Sequence, residues 1–391
     1  MSPRPPPDPK SLLGRHRLLS PTASIRVSPF CLGGMSFGTN WTAQMGECSK
    51  ETVFDLLDTF YDLGGNFVDT ANAYQDGQSE EWIGEWMKKT GRRDEFVIST
   101  KYAQGFKAHD HTVQQSNFGG TGTKSMYLSL EQSLKRLQTD YVDLFFVHYW
   151  DYATDIPELM QSLNTIFLQR KVLYFGISDA PAWVVVKANC YANAHGLRPF
   201  SVYQGRLSAQ ARDLESDIIP MCRDQRMGLV AWGVMGNGYF RSPDTSEEEG
   251  DRKTPFITTG REAQVSKALD TVAKRRKVSI YSVAIAYAMQ KAPYIYPLIG
   301  GRFVAHLRAN IEALGLTLYP QDIIDIEKGY DFNPGFPHNF IGVGGKAPQG
   351  PEDVLLLRDL GFFDYVSTEK AIHPKTESFH LPNGHAPAVG A

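Results

Sequence analysis

Apolar and polar positions follow two alternating periods along this chain, and the switch between them is regular from residue 29 onward. Short apolar runs, each ended by a glycine or a polar residue, recur at 31–35, 66–68, 96–102, 141–148, 172–178, 200–204, 228–232 and 294–300. Runs of this length, apolar at nearly every position, are what a strand buried on both faces requires. Between them lie stretches whose apolar residues are spaced by three and four, such as Val53, Leu56, Leu57 and Phe60. That spacing predicts amphipathic helices at 52–63, 80–89, 125–137, 156–169, 182–194, around 214–226, within 261–290 and from about 304 to 314.

Strands that alternate with helices of this length must be parallel, joined by crossovers, and eight such units close a barrel. The expected fold is therefore α/β, a (β/α)8 TIM barrel over 25–319 with long connecting loops and a C-terminal extension, 320–391, packing on or near it. A doubly wound open sheet is the rival, and it needs a phosphate-binding turn. The string GVGGKA at 342–347 lies in a Gly/Pro-rich tail without the strand and helix that should flank it. In GGTGTKS, at 119–125, Thr123 stands where a phosphate loop requires glycine before the lysine. Residues 1–24 are rich in proline and basic residues without periodicity, and read as a flexible or loosely docked leader. The irregular segments 103–122 and 234–260, the latter carrying an acidic run at 247–249 and reading as a mobile flap, are expected with the tail to line any pocket.

Composition narrows the partners. A chain of 391 residues, 42% hydrophobic, can bury a large core, and a net charge of -3 offers no basic field for nucleic acid or an acidic membrane. Cys31, Cys48, Cys190 and Cys222 are too widely spaced to suggest disulfides or a zinc site. No segment is apolar and long enough for a signal peptide or a membrane span, so a cytosolic enzyme or binding protein is expected.

Candidate chemistry collects at the C-terminal strand ends, where barrels of this kind carry their sites. Strand two ends at Asp69 with Tyr74 on the following loop; strand three ends at Lys101 and strand four at His148. Ser178 and Asp179 follow strand five, Gln204 ends strand six, Trp232 ends strand seven, and Gly300, Gly301 and Arg302 follow strand eight. An ammonium beside a phenol favours the phenolate, and a carboxylate partners the ammonium. Tyr74 can then act as general acid, with Lys101 lowering its pKa, Asp69 pairing Lys101, and His148 donating a hydrogen bond to a substrate carbonyl. Each residue also has a purely structural account: Asp69 a cap, Tyr74 a loop aromatic, Lys101 a snorkelling strand-end lysine, His148 a core histidine. His109, Asp110 and His111 lack a spacing that would aim them at one metal ion, and no metal is expected.

The stretches GGNFVDTANAYQDGQSE, FVISTKY, SLKRLQTDYVDLFFVH, VLYFGISDAPAW and LIGGRFVAHLRANIEAL resemble, in this order, the aldo-keto reductase superfamily over about 27–318. EEWIGEWM, VHYWDY, SDAPAWVVVKAN and SVAIAYAMQKAPYIYPLIGGR look like its fungal aryl-alcohol dehydrogenase branch, which includes norsolorinic acid reductase-like proteins. The resemblance implies an NADP(H)-dependent oxidoreductase that interconverts aromatic aldehydes or ketones and alcohols, with Asp69, Tyr74, Lys101 and His148 as its catalytic four. It assigns the cofactor carboxamide to Ser178, Asp179 and Gln204, with Asp179 in place of the commoner Asn. Trp232 stands for the aromatic of the family's Y-S-P-L strand, followed by Gly233, Val234 and Met235 instead of Ser-Pro-Leu. Gly300 and Gly301 fall on the cofactor side, and Arg302, His306 and Asn310 on its 2′-phosphate and adenine site. A cofactor-binding regulatory subunit on the same fold and a metal-dependent barrel hydrolase are the alternatives.

Overall fold

The computed structural model describes residues 7–242, 260–358, 360–366 and 369–374. Two antiparallel strands, β1 (Arg17–Ser20) and β2 (Ala23–Val27), precede eight parallel ones: β3 (Cys31–Gly33), β4 (Phe67–Asp69), β5 (Val97–Tyr102), β6 (Val142–Val147), β7 (Val172–Ser178), β8 (Phe200–Arg206), β9 (Gly228–Trp232) and β10 (Ile295–Gly300). The eight close in sequence order, with β10 pairing β3, so no barrel strand is an edge. This is the (β/α)8 barrel that the alternating pattern predicts. β5 and β6 are buried at every position, which is why their sequences show no period of two. Register decides what meets at the C-terminal end: Asp69 pairs with Ser99, Lys101 with Phe146, and Ser178 with Gln204.

Helices α1 (Thr42–Met45), α2 (Lys50–Asp62), α3 (Gln78–Thr90), α4 (Thr123–Leu137), α5 (Ile156–Leu168), α6 (Ala182–Ala194), α7 (Ile218–Asp224), α8 (Glu262–Arg276), α9 (Ile280–Met289) and α10 (Val304–Ile311) lie between or after the barrel strands. α2 starts where Ser49 Oγ accepts the Thr52 N–H, and its stripe Val53, Leu56, Leu57 and Phe60 is fully buried. α3 starts two residues before the expected position 80. Gly77, at φ 100, precedes it, and Ser79 lies inside its first turn. Buried Ser79 donates to the Gly34 carbonyl at 2.8 Å and meets Thr70 Oγ1 at 2.7 Å, tying α3 to the ends of β3 and β4.

The expectation of a loose leader at 1–24 is corrected within the described residues. Leu13 is buried against the main core, and the β1–β2 hairpin closes the N-terminal end of the barrel. Leu19, Ala23 and Val27 are fully buried in one cluster with Phe67, Val97, Leu144, Phe146, Val202, Val230 and Tyr296. The Tyr296 hydroxyl donates to the Leu18 carbonyl. The hairpin is short and its apolar positions few, so periodicity does not disclose it; the open end of the barrel supplies what it packs on. Residues 1–6 of the leader lie outside the described residues.

The C-terminal extension begins with α11 (Pro320–Glu327), which packs with α8 and α9 through Ile326, Leu269 and Val283. Glu327 takes ion pairs from Arg212 at 3.2 Å and Lys291 at 2.7 Å, and Gln349 accepts from Arg223 at 2.8 Å. The extension therefore lies along the outer helices. Its residues 359, 367–368 and 375–391, and positions 243–259 of the expected flap with its acidic run, lie outside the described residues.

Truncating Leu19 to alanine opens a void beneath the barrel floor and should cost roughly 3 kcal/mol of stability, read as a lower urea midpoint. The catalytic rate per folded molecule should stay unchanged, because the strand ends that carry the site lie at the opposite face.

Candidate active site

The site is built on a buried ion pair. Lys101, at the C-terminal half of β5, is 0% exposed, and its Nζ pairs with Asp69 Oδ2 on the neighbouring strand. Nζ also donates to the Thr70 carbonyl at 2.8 Å and to the Tyr74 hydroxyl at 3.4 Å. The other carboxylate oxygen of Asp69 accepts from Ser99 Oγ at 2.7 Å and from Gln204 Nε2, reaching across from β8, at 3.2 Å. Two buried opposite charges are tolerated because their hydrogen-bonding positions are filled by neighbours on the barrel strands. Burial alone would pull the Lys101 ammonium down, but Asp69, then Tyr74, hold it above its ordinary value.

Tyr74 opens a tight turn, Tyr74–Gly77, in which Gln75 and Asp76 adopt left-handed conformations at φ 52 and 57. Such residues are strained outside glycine and asparagine and persist where surroundings hold them. The buried Gln75 side chain donates to the Met35 carbonyl at 3.1 Å and accepts the Trp41 N–H at 2.7 Å, fixing the turn to the loop after β3. The expected lowering of the Tyr74 phenol is overturned in its net direction. Burial raises it, and that outweighs the lowering by Lys101, with Asp69 adding to the rise. The phenol is thus held protonated, in the form that can donate.

His148, just beyond β6, sets its ring edge-on to Tyr74 with centroids 5.7 Å apart. The residue is half-buried, but Nδ1 is cut off from solvent and has no hydrogen-bond partner among the described residues. Burial, reinforced by the Lys101 charge, pushes its pKa down to about 3. The imidazole is therefore neutral at ordinary pH and has an N–H that can donate without a full charge.

Asp69, Tyr74 and His148 line a cavity of about 1420 Å³ at the C-terminal end of the barrel, while Lys101 stands behind them. Ser178, Asp179 and Gln204 line its floor; Trp232 and Gly233, and Gly300, Gly301 and Arg302, form two further sides, and His306 and Asn310 continue along α10. All the residues expected on the cofactor side thus face one space. Asp179 sits at φ 42 with its N–H on the Gln204 carbonyl at 3.2 Å. Its side chain is exposed to the cavity, yet the surrounding wall raises its carboxyl, opposed by hydrogen bonds from Trp232 and Ser178. The indole bond gives a reason for this pair of residues: Trp232 supplies the N–H that holds the Asp179 carboxylate in place.

Three features of the lining differ from expectation. The loop after β3 contributes Met35, Ser36, Trp41, Gln44 and Met45, and Trp41 meets the Tyr74 ring edge-on at 6.4 Å. Only Gln104 comes from the 103–122 segment, and among the described residues the tail contributes nothing. The junction of α8 and α9 adds Lys274, Lys277 and Ser279, and Arg241 lines the same space. A scan of polar strand-end residues passes over Trp41, whose signal is a lone large aromatic in the polar loop that follows the first barrel strand. His109, Asp110 and His111 do not converge; Asp110 turns onto the Thr112 hydroxyl at 2.5 Å, and among the described residues no group of three or more metal-ligating side chains forms. No described helix is long and apolar enough to cross a membrane.

Asp69, Tyr74, Lys101 and His148 thus meet at the C-terminal end of a closed barrel, and comparison with known proteins places the chain among oxidoreductases. The chain belongs to the aldo/keto reductase family, whose model matches residues 29–331. It is 61% identical over 382 residues to an aryl-alcohol dehydrogenase of Pestalotiopsis microspora, spanning 98% of this chain and 99% of that protein. It is 51% identical over 335 residues to norsolorinic acid reductase A of Aspergillus parasiticus, with 86% of each chain covered. An aryl-alcohol dehydrogenase [NADP(+)] of Phanerodontia chrysosporium shares 44% over 386 residues, 95% of this chain and 98% of the relative.

The depressed pKa of His148 carries a stability consequence. Between about pH 6.5 and about 3 the unfolded chain binds a proton at this residue that the folded chain does not, so the contribution falls as pH drops. Replacing His148 with glutamine should remove on the order of 4 kcal/mol of this acid sensitivity, seen as a shallower loss of urea stability from pH 7 to pH 4. An unchanged slope would show that the imidazole titrates alike in both states.

Proposed function

We propose that the protein is an NADPH-dependent reductase of aromatic aldehydes or ketones, running in reverse on the corresponding alcohols, with Tyr74 as proton donor and acceptor. The observation that carries this reading is the Tyr74 hydroxyl 3.4 Å from the Lys101 ammonium at the wall of a large cavity, beside a neutral His148.

The donor set suits a dinucleotide. Ser178 and Gln204 offer a hydroxyl and an amide to a carboxamide, and Arg302 offers a guanidinium fork that matches a phosphate but has no equal partner in a ribose hydroxyl. Arg302, just before α10, and His306 and Asn310 within it recur every four residues and line the cavity. When bound, NADPH supplies the hydride. The chain supplies the rest: His148 donates an N–H to the carbonyl oxygen and orients it, and Tyr74 gives its proton to that oxygen as negative charge develops there. Lys101 then stabilises the phenolate left behind, with its own charge fixed by Asp69. In the oxidation direction the same phenolate takes the alcohol proton, so that rate should rise toward alkaline pH while reduction stays level through neutrality.

Aromatic substrates suit the wall. Trp41, Tyr74 and Trp232 present aromatic surface, and Met35 and Met45 add adaptable apolar surface. The Pestalotiopsis and Phanerodontia relatives, aryl-alcohol dehydrogenases by name, support the same class, and the second is named for NADP(+).

Tyr74→Phe should keep the affinity for NADPH within about twofold and lower kcat for an aryl aldehyde by roughly 100-fold or more. Undiminished turnover would refute the proton role. Arg302→Leu should raise KM for NADPH by roughly tenfold or more while leaving KM for NADH nearly unchanged, measured as loss of the reduced nicotinamide absorbance with each cofactor in parallel.

A further inference from the structure

Tyr74 and Lys101 come from different elements, a strained turn and a barrel strand, and their contact at 3.4 Å is the longest in the ion-pair cluster. Something must hold the two elements in register. Behind the turn, away from the cavity, lies a second buried ion pair: Arg136, near the end of α4 and 8% exposed, against Glu80 of α3, which is 0% exposed, with Nη1 to Oε2 at 3.3 Å.

The partners of this pair are specific to the turn. Arg136 Nη1 donates to the Asn72 carbonyl at 2.7 Å and Nη2 to the Asp76 carbonyl at 3.5 Å, so the guanidinium spans the backbone on both sides of Tyr74. Gly77, at φ 100, lies flat on the guanidinium, and a Cβ there would sit 2.1 Å from Arg136 Cζ. The other carboxylate oxygen of Glu80 accepts from Thr100 Oγ1 at 2.6 Å, and Thr100 is the residue before Lys101 on β5. One ion pair therefore grips the carbonyls that flank the proton donor and, through Thr100, the strand that carries the ammonium.

We propose that Arg136 and Glu80 are positioning residues for proton transfer, a strut that sets the Tyr74 hydroxyl against Lys101 Nζ. The inference rests on the proton role proposed for Tyr74. Two left-handed residues after Tyr74, Gln75 and Asp76, give the turn a standing tendency to relax, and the planar fork of an arginine can hold two carbonyls and a carboxylate at once where an ammonium holds fewer in fixed directions. A relaxed turn would move the phenol away from Lys101, the group that lowers it, and leave burial, Asp69 and Asp179 to raise it further, beside a neutral His148.

Arg136→Lys tests this, with Thr100→Val as a milder variant and Arg93→Lys as a control. Arg93 makes a comparable ion pair with Asp143 at 2.9 Å that does not touch the turn. In Arg136→Lys, kcat should fall roughly tenfold with NADPH affinity within about twofold, and the apparent pKa for alcohol oxidation should move up by about one unit. Thr100→Val, if Arg136→Lys folds poorly, should shift the same limb in the same direction by a smaller amount. Arg93→Lys should lower stability and leave the pH profile in place. Full turnover in Tyr74→Phe would overturn the function on which the strut depends. An inactive Tyr74→Phe beside Arg136→Lys and Thr100→Val enzymes with the parent kcat and pH profile would overturn the strut alone.

Discussion

The Lys101–Asp69 ion pair is the interaction on which the site depends. A lysine ammonium with no exposure inside a barrel is unfavourable unless a carboxylate and further acceptors surround it, and here Asp69, the Thr70 carbonyl and the Tyr74 hydroxyl do so. Asp69 in turn is fixed by Ser99 from the next strand and Gln204 from the opposite side of the barrel. Closure of the barrel is what makes this possible, since β4, β5 and β8 must all end at one level for these side chains to meet. Stability and chemistry therefore share one construction: the groups that satisfy the buried charge are also those that define where the phenol stands.

Burial and charge act against each other throughout the site. At Tyr74 burial prevails over Lys101 and the phenol stays protonated; at Lys101 Asp69 prevails over burial and the amine stays charged; at His148 burial and Lys101 act together and the ring is neutral. The result is a charged ammonium, a protonated phenol and an uncharged imidazole within one cluster. The lysine alone would lower the tyrosine, and an adjacent charge can be read from residue order in the strands, whereas the depth of the cavity wall that reverses it cannot.

The fold was legible because fully buried parallel strands leave a distinctive trace, an unbroken apolar run ended by one polar residue, and that same residue marks the mouth. Asp69, Lys101 and Gln204 were found for this reason. Elements that pack by filling a space left by others were not legible. The β1–β2 hairpin has too few residues to show a period, and Ser79 and Glu80, which look like a helix start, are buried because the ends of β3, β4 and β5 need partners there. Trp41 leaves no trace of its place, since it lies in a loop close to Tyr74 in space but 33 positions away in sequence. The part of the 234–260 segment that is described supplies Val234, Met235, Asn237, Gly238, Arg241 and Ser242 to the cavity, as expected of it, though its composition does not apportion the contribution among residues.

The hairpin beneath the barrel bears on traffic as well as on packing. With Leu19, Ala23 and Val27 packed into the N-terminal end of the barrel, the cavity lies at the strand C-termini, on the other side of that floor. Filling and emptying that space therefore leaves the packed floor undisturbed, and the close packing there is free of any demand to open.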